Sequence, residues 1–178
     1  VLRILGKDGA EPRIKILRTD EPMPWSSHSA LHAMTDVYKA IKNAKTTLVF
    51  VNTRAFAEMT FQALWKLNTD ALPIALHHGS LEKELRRRVE TEMAAGKLRA
   101  VVATSSLDLG VDWAAVDLVI QIGAPKGVSR LIQRIGRAGH QLDTPSRALL
   151  VPANRFEVLE CRAALEAIYA GTLDGDAP

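Results

Sequence analysis

Five short apolar runs recur along this chain: Thr47-Leu48-Val49-Phe50-Val51, Ile74-Ala75-Leu76-His77, Ala100-Val101-Val102-Ala103, Leu118-Val119-Ile120-Gln121 and Ala148-Leu149-Leu150-Val151. Each places apolar side chains on consecutive residues, so as a strand it is buried on both faces and needs cover on both. The stretches between supply that cover. Ser29 to Asn43, Ala55 to Leu67, Glu82 to Ala95, Val128 to Ile135 and Arg155 to Tyr169 repeat apolar residues three and four apart, with Gly96 and Gly171 placed as helix stops. Strand and helix alternating in this way predict an α/β domain, with five helices on the two faces of a mostly parallel sheet. Arg13 to Leu17 is a candidate extra strand, and the breakers Pro22 and Pro24 after it suit an edge or linker. The expected organisation is a leading linker over 1–27 with that edge strand, a domain over 28–171, and a tail over 172–178 toward a following domain.

Composition agrees with one domain: 178 residues, 47% hydrophobic, can bury a sizeable core. A net charge of +3 is compatible with an anionic partner without demanding one. The single cysteine, Cys161, excludes an internal disulfide and reads as a small buried hydrophobe in a reducing cytoplasm. No apolar stretch is long enough for a bilayer, and Arg3 and Lys7 interrupt the opening where a signal peptide needs an apolar core. The expectation is a cytoplasmic chain with no membrane partner. Without an initiator methionine, it reads as a piece of something longer.

In a parallel sheet ligands gather at the carboxyl ends of the strands. There the chain places Asn52-Thr53-Arg54, His78-Gly79-Ser80, Thr104-Ser105-Ser106 and Gly123-Ala124-Pro125-Lys126-Gly127. The hydroxyls and amides of Thr104 to Asp112 suit an anion, while Ser105 or Ser106 equally suits a helix cap. Asp112 fits ribose hydroxyls or a neighbouring backbone amide. Thr53 and Arg54 fit a phosphate, or an N-cap followed by an exposed arginine. Arg134 and Arg137, three apart between glycines, form either a phosphate site or a solvated turn capped by Gly139. Arg86-Arg87-Arg88 lies among Glu82, Glu84, Glu90 and Glu92 and reads as intrahelical ion pairs rather than a DNA patch. His28, His32, His77 and His78 lack metal-ligand spacing, so no metal is assigned. Trp65 and Tyr169 read as core, whereas Trp113 has a fair claim to meet a ligand. No phosphate loop and no Asp-Glu-x-His run is present, so the chain holds arginines of a kind suited to finishing an ATPase site and nothing to found one.

Four segments, in order, resemble motifs IV, IVa, V and VI of superfamily 2 helicases: Phe50 to Arg54, His77 to Ser80, Val102 to Asp112, and Gln133 to His140. Within that superfamily the chain resembles the second RecA-like domain of Lhr-type (large helicase-related) enzymes. Gln121 to Val128 and Ser146 to Ala164 are most similar to the bacterial ligase-associated DEXH-box branch. The resemblance covers roughly Lys45 to Gly171.

It implies a RecA-like three-layer domain, and an ATP-dependent helicase or translocase on single-stranded DNA in repair. Arg137 would be the arginine finger, with Gln133 and Arg134 completing the catalytic motif. Gly110, Asp112, Arg137 and His140 would border the nucleotide. Asn52, Thr53, Arg54, His78, Gly79, Thr104 and Ser105 would line the nucleic-acid track. His140 stands where many superfamily 2 proteins have a second finger arginine, as it does in Lhr-type enzymes. ATP and Mg2+ would be bound mainly by the absent first RecA-like domain, leaving this chain inactive alone. Implied partners are single-stranded DNA or a 3′-tailed duplex, that first domain, and by genetic association a DNA ligase and a nuclease. The alternative is a nucleic-acid binding module without hydrolysis. A Rossmann-type enzyme lacks its glycine fingerprint here.

Overall fold

The computed structural model describes residues 12–108, 116–136 and 145–172. The runs that read as strands are strands: Arg13–Ile16 (β1), Thr47–Phe50 (β2), Ile74–His77 (β3), Ala100–Ala103 (β4), Leu118–Ile122 (β5) and Arg147–Val151 (β6). The helices are Met34–Lys42 (α1), Arg54–Leu67 (α2), Lys83–Ala94 (α3), Val128–Ile135 (α4) and Arg155–Ala170 (α5). The predicted first helix begins later than its periodicity suggested, because Leu31–Ala33 forms a tighter 3-10 turn.

The strands form one six-stranded sheet in the order β1-β6-β5-β2-β4-β3, and every pairing is parallel. The segment expected as an edge strand is that: Arg13 to Ile16 pairs only with Arg147 to Leu150 of β6. Alternation along the strands feeds two cores. Val49, Val102 and Ile120 meet Val37, Ile41 and Leu64 of α1 and α2. Leu48, Phe50, Val101 and Leu150 meet Met93, Leu131, Ile135 and Cys161 of α3, α4 and α5 on the other face. This is the three-layer architecture, with α1 and α2 above and the other helices below.

Local chemistry sets the ends. Thr53 Oγ1 accepts from Phe56 N at 3.3 Å, and Asn154 Oδ1 from Glu157 N at 3.0 Å, each capping the helix that follows. Gly96 and Gly171 take φ of 68° and 69°, a left-handed conformation that costs glycine little and ends α3 and α5.

Three expectations are corrected. Trp65 and Tyr169 are 57% and 52% exposed rather than core. Each lies on a helical turn whose inward positions smaller residues already fill: Leu64 in α2, Cys161 and Ala164 in α5. The acidic side chains of α3 do not serve the arginine run as expected, since Glu90 turns to His77 and Glu92 to Lys97. Among the described residues no helix is long and apolar enough to cross a membrane.

Candidate nucleic-acid interface

The connections leaving the adjacent strands β2 and β5 go to opposite faces, through α2 and α4, which makes the crevice between their carboxyl ends the switch point of the sheet. Asn52 occupies it. Its Nδ2 donates to Ala124 O at 2.9 Å, and its Oδ1 accepts from Gln121 Nε2 at 3.4 Å. What remains is a cavity of about 60 Å³ bordered by Val51, Gly123 and Glu157.

From Gln121 a polar chain continues downward into the sheet. Arg134 Nη1 donates to Gln121 Oε1 at 2.6 Å, its Nε to Asp108 Oδ1 at 2.7 Å and its Nη2 to Asp108 Oδ2 at 3.3 Å. The guanidinium also lies 4.5 Å from the centre of the Phe50 ring. Arg134 is only 4% exposed, and Arg130 adds a looser contact to Asp108 at 3.7 Å. A buried fork held on both sides is charge-satisfied and geometrically fixed. The sequence expectation of a catalytic role for Arg134 meets a buried side chain that makes three hydrogen bonds within the domain. One position earlier, Gln133 is exposed on α4. Arg137, His140, Gly110, Asp112 and Trp113 lie outside the described residues, as does Gly139.

Of the seven residues expected on the rim at the ends of β2, β3 and β4, Thr53, Arg54, Gly79 and Ser105 are exposed, Asn52 and Thr104 are half-buried and His78 is buried. Thr53 and Arg54 are exposed, and Arg54 Nη1 donates to Ser80 Oγ at 3.1 Å, joining the ends of β2 and β3. The cap reading of Thr53 holds, since its hydroxyl accepts from Phe56 N at the start of α2, and the residue is exposed. Gly79 is exposed. His78 is not, at 3% exposure, with Nδ1 accepting from Ser80 N at 3.3 Å and Glu58 Oε1 lying 3.2 Å from Nε2. Its imidazole is turned inward because β3 ends there and the chain folds over it. Asn52, bonded across the switch point, is half-buried.

The loop after β4 divides its three hydroxyls. Thr104 occupies the cap position of the 3-10 turn Ser105–Leu107 but makes no capping side-chain bond, and neither Ser105 nor Ser106 caps it, contrary to one of the two readings. Ser105 is exposed. Ser106 instead lies 2.8 Å from His77 Nδ1, and His77 Nε2 lies 2.9 Å from Glu90 Oε1. Burial holds the His77 imidazole below its ordinary value, against the opposing pull of Glu90. Sequence reasoning did not foresee the joining of Asp108 and Gln121 through Arg134, or of Ser106 and Glu90 through His77. The legible sign was a lone Gln in the otherwise apolar run of β5, where a buried amide must find partners.

The family description "Helicase conserved C-terminal domain" matches residues 29–141. The chain belongs to that family: it is a helicase C-terminal, RecA-like domain of superfamily 2. Its relatives narrow the type to Lhr. It is 43% identical over 122 residues to ATP-dependent helicase Lhr-Core protein 2 of Thermococcus barophilus, covering 68% of this chain and 14% of that protein. It is 34% identical over 174 residues to the Lhr helicase/uracil glycosylase of Escherichia coli, covering 81% of this chain and 11% of that protein. The solved Mycobacterium smegmatis helicase Lhr bound to ssDNA and AMP-PNP superposes with a TM-score of 0.80 at 33% identity, over 92% of this chain and 22% of that one. The chain thus spans about a tenth to a fifth of these proteins, and corresponds to the second RecA-like domain of an Lhr-type helicase.

Proposed function

We propose that this domain is the distal half of an ATP-dependent motor that moves along single-stranded DNA, or from the tail of a 3′-tailed duplex, and unwinds what it meets. The observation that carries the reading is the rim: exposed Thr53, Arg54, Gly79 and Ser105, with the uncapped Thr104, gathered at the carboxyl ends of three adjacent strands. Hydroxyls, backbone amides and one guanidinium grip phosphates without reading bases, which suits a track that must be sequence-tolerant. Asn52 and His78 support that rim from beneath.

ATP, bound with Mg2+ mainly by the first RecA-like domain of the same protein, supplies the energy of phosphoryl transfer. From this side of the cleft Arg137 neutralises charge on the γ-phosphate, and Gln133, exposed on α4, reaches the same face. Arg134 holds α4 in place through Asp108 and Gln121. Gly110, Asp112 and His140 border the nucleotide. Closure of the cleft then shifts the Thr104 rim along the strand. Family resemblance is what suggests a place in cytoplasmic DNA repair, beside a DNA ligase and a nuclease, and membership of the ligase-associated DEXH-box branch.

The decisive experiment is Arg137→Ala in the complete protein. ATPase activity is expected to vanish while affinity for single-stranded DNA stays within about threefold, and retained turnover would remove Arg137 from the site. Fingers of this kind contribute roughly 10³–10⁵ in rate.

A further inference from the structure

The hydrogen-bonding rules fix the roles in the chain Glu90, His77, Ser106. A carboxylate only accepts, so Nε2 of a neutral imidazole carries the proton toward Glu90, and Nδ1 is left to accept from the Ser106 hydroxyl. The backbone of the same histidine is also engaged: His77 O accepts from Thr104 N at 3.4 Å and, at 3.3 Å, is the farther of the two acceptors facing the single Ser106 hydroxyl proton, with Nδ1 at 2.8 Å the nearer. His77 is 2% exposed at the last position of β3. One residue therefore ties α3, through Glu90, to the entrance and to the third residue of the loop that carries Thr104 and Ser105. Those two hydroxyls make no bond among the described residues, whereas the third is anchored.

We propose that His77 is a positioning residue for nucleic-acid engagement: with Glu90 behind it, it holds Ser106 so that the neighbouring Thr104 and Ser105 hydroxyls are presented to a DNA phosphate. The inference rests on the proposed nucleic-acid role of that loop. It assigns His77 no contact with DNA and no part in hydrolysis. Disturbing the relay then weakens DNA coupling and leaves nucleotide affinity alone, a separation that a general loss of packing does not produce.

The test uses single-strand-stimulated ATPase of the complete protein, reading the oligonucleotide concentration for half-maximal stimulation separately from KM for ATP. The amide of His77→Asn stands near Nδ1 and can still accept from Ser106, while that of His77→Gln stands near Nε2 and reaches only Glu90. A net hydrogen bond of about 0.5–1.5 kcal/mol converts to as much as about tenfold. His77→Gln, Ser106→Ala and Glu90→Ala are expected to raise the DNA concentration by about threefold to tenfold with KM for ATP within twofold. His77→Asn is expected to stay closer to wild type. If Thr104→Ala raises the DNA requirement but His77→Gln and Ser106→Ala do not, the relay is overturned and the loop reading survives. If Thr104→Ala is silent, the loop reading itself fails. Equal defects in His77→Asn and His77→Gln, or a parallel rise in KM for ATP, also overturn the proposal. Should the buried substitutions unfold the domain, Ser106→Ala and Glu90→Ala at the surface of the relay carry the test alone.

Discussion

Arg134 shows how much one residue's burial changes its meaning. In sequence it is the twin of Arg137, three positions away. In the structure it is 4% exposed, forked onto Asp108 and seated beside Phe50, so its charge is spent on holding α4 against β5 and the loop after β4. Removing one partner of a buried pair leaves the other charge stranded, so Arg134→Ala is expected to cost about 3–5 kcal/mol in denaturant unfolding. Arg134→Lys would recover little, because an ammonium cannot reach Asp108 and Gln121 together in the plane a guanidinium provides. Cys161 makes the opposite point about reactivity. Buried at 0% exposure, with its thiol pushed up to about 12, it is expected to resist alkylation in the native protein at pH 8 and to label only on unfolding. Rapid native labelling would place the thiol elsewhere.

At the scale of elements, caps and ties decide where helices start and which loops they hold. Asn154 does two jobs, capping α5 through Oδ1 and donating from Nδ2 to Ser27 O at 2.8 Å, which fastens the segment before α1 to the start of α5. Asn154→Ala is expected to lower unfolding stability by about 1–2 kcal/mol, and Asn154→Asp, which keeps the cap but not the donor, by less. A larger loss in Asn154→Asp than in Asn154→Ala would refute the account. Element existence was legible throughout, because consecutive apolar residues between helical stretches admit few folds. Burial within an element was less so: Trp65 and Tyr169 sit at helical spacings that suggested core, yet their helices face the sheet with smaller neighbours.

For the molecule as a whole, titration and binding are the accessible properties. His32 and His77 both have values lowered from 6.5, chiefly by burial. The unfolded chain therefore takes up protons first as pH falls below about 6.5, while the folded chain resists, so stability is full above that value and declines beneath it. The denaturant midpoint of the domain is expected to drop between pH 7.5 and pH 5.5, and His77→Asn should shrink that drop. A rise on acidification would contradict the sign. The isolated chain is expected to hydrolyse no ATP and to bind single-stranded oligonucleotide weakly. Tight binding with a steep salt slope would favour a stand-alone binding module instead.

The amino-acid order alone determined the layered α/β architecture, the edge strand, the helix stops and the four ordered segments, because periodicity and residue type are local properties. It also placed Thr53, Arg54, Gly79 and Ser105 on a common rim, since every parallel strand ends on the same side. Which polar groups remain available on that rim was decided only by tertiary structure. His78 was turned inward, Asn52 was bonded across the switch point, Arg134 was buried against Asp108 and Gln121, and Ser106 was set beside His77. Exposure and pairing depend on residues far apart along the chain, 72 positions for Asn52 and Ala124 and 127 for Asn154 and Ser27, and no local pattern records which of them will meet.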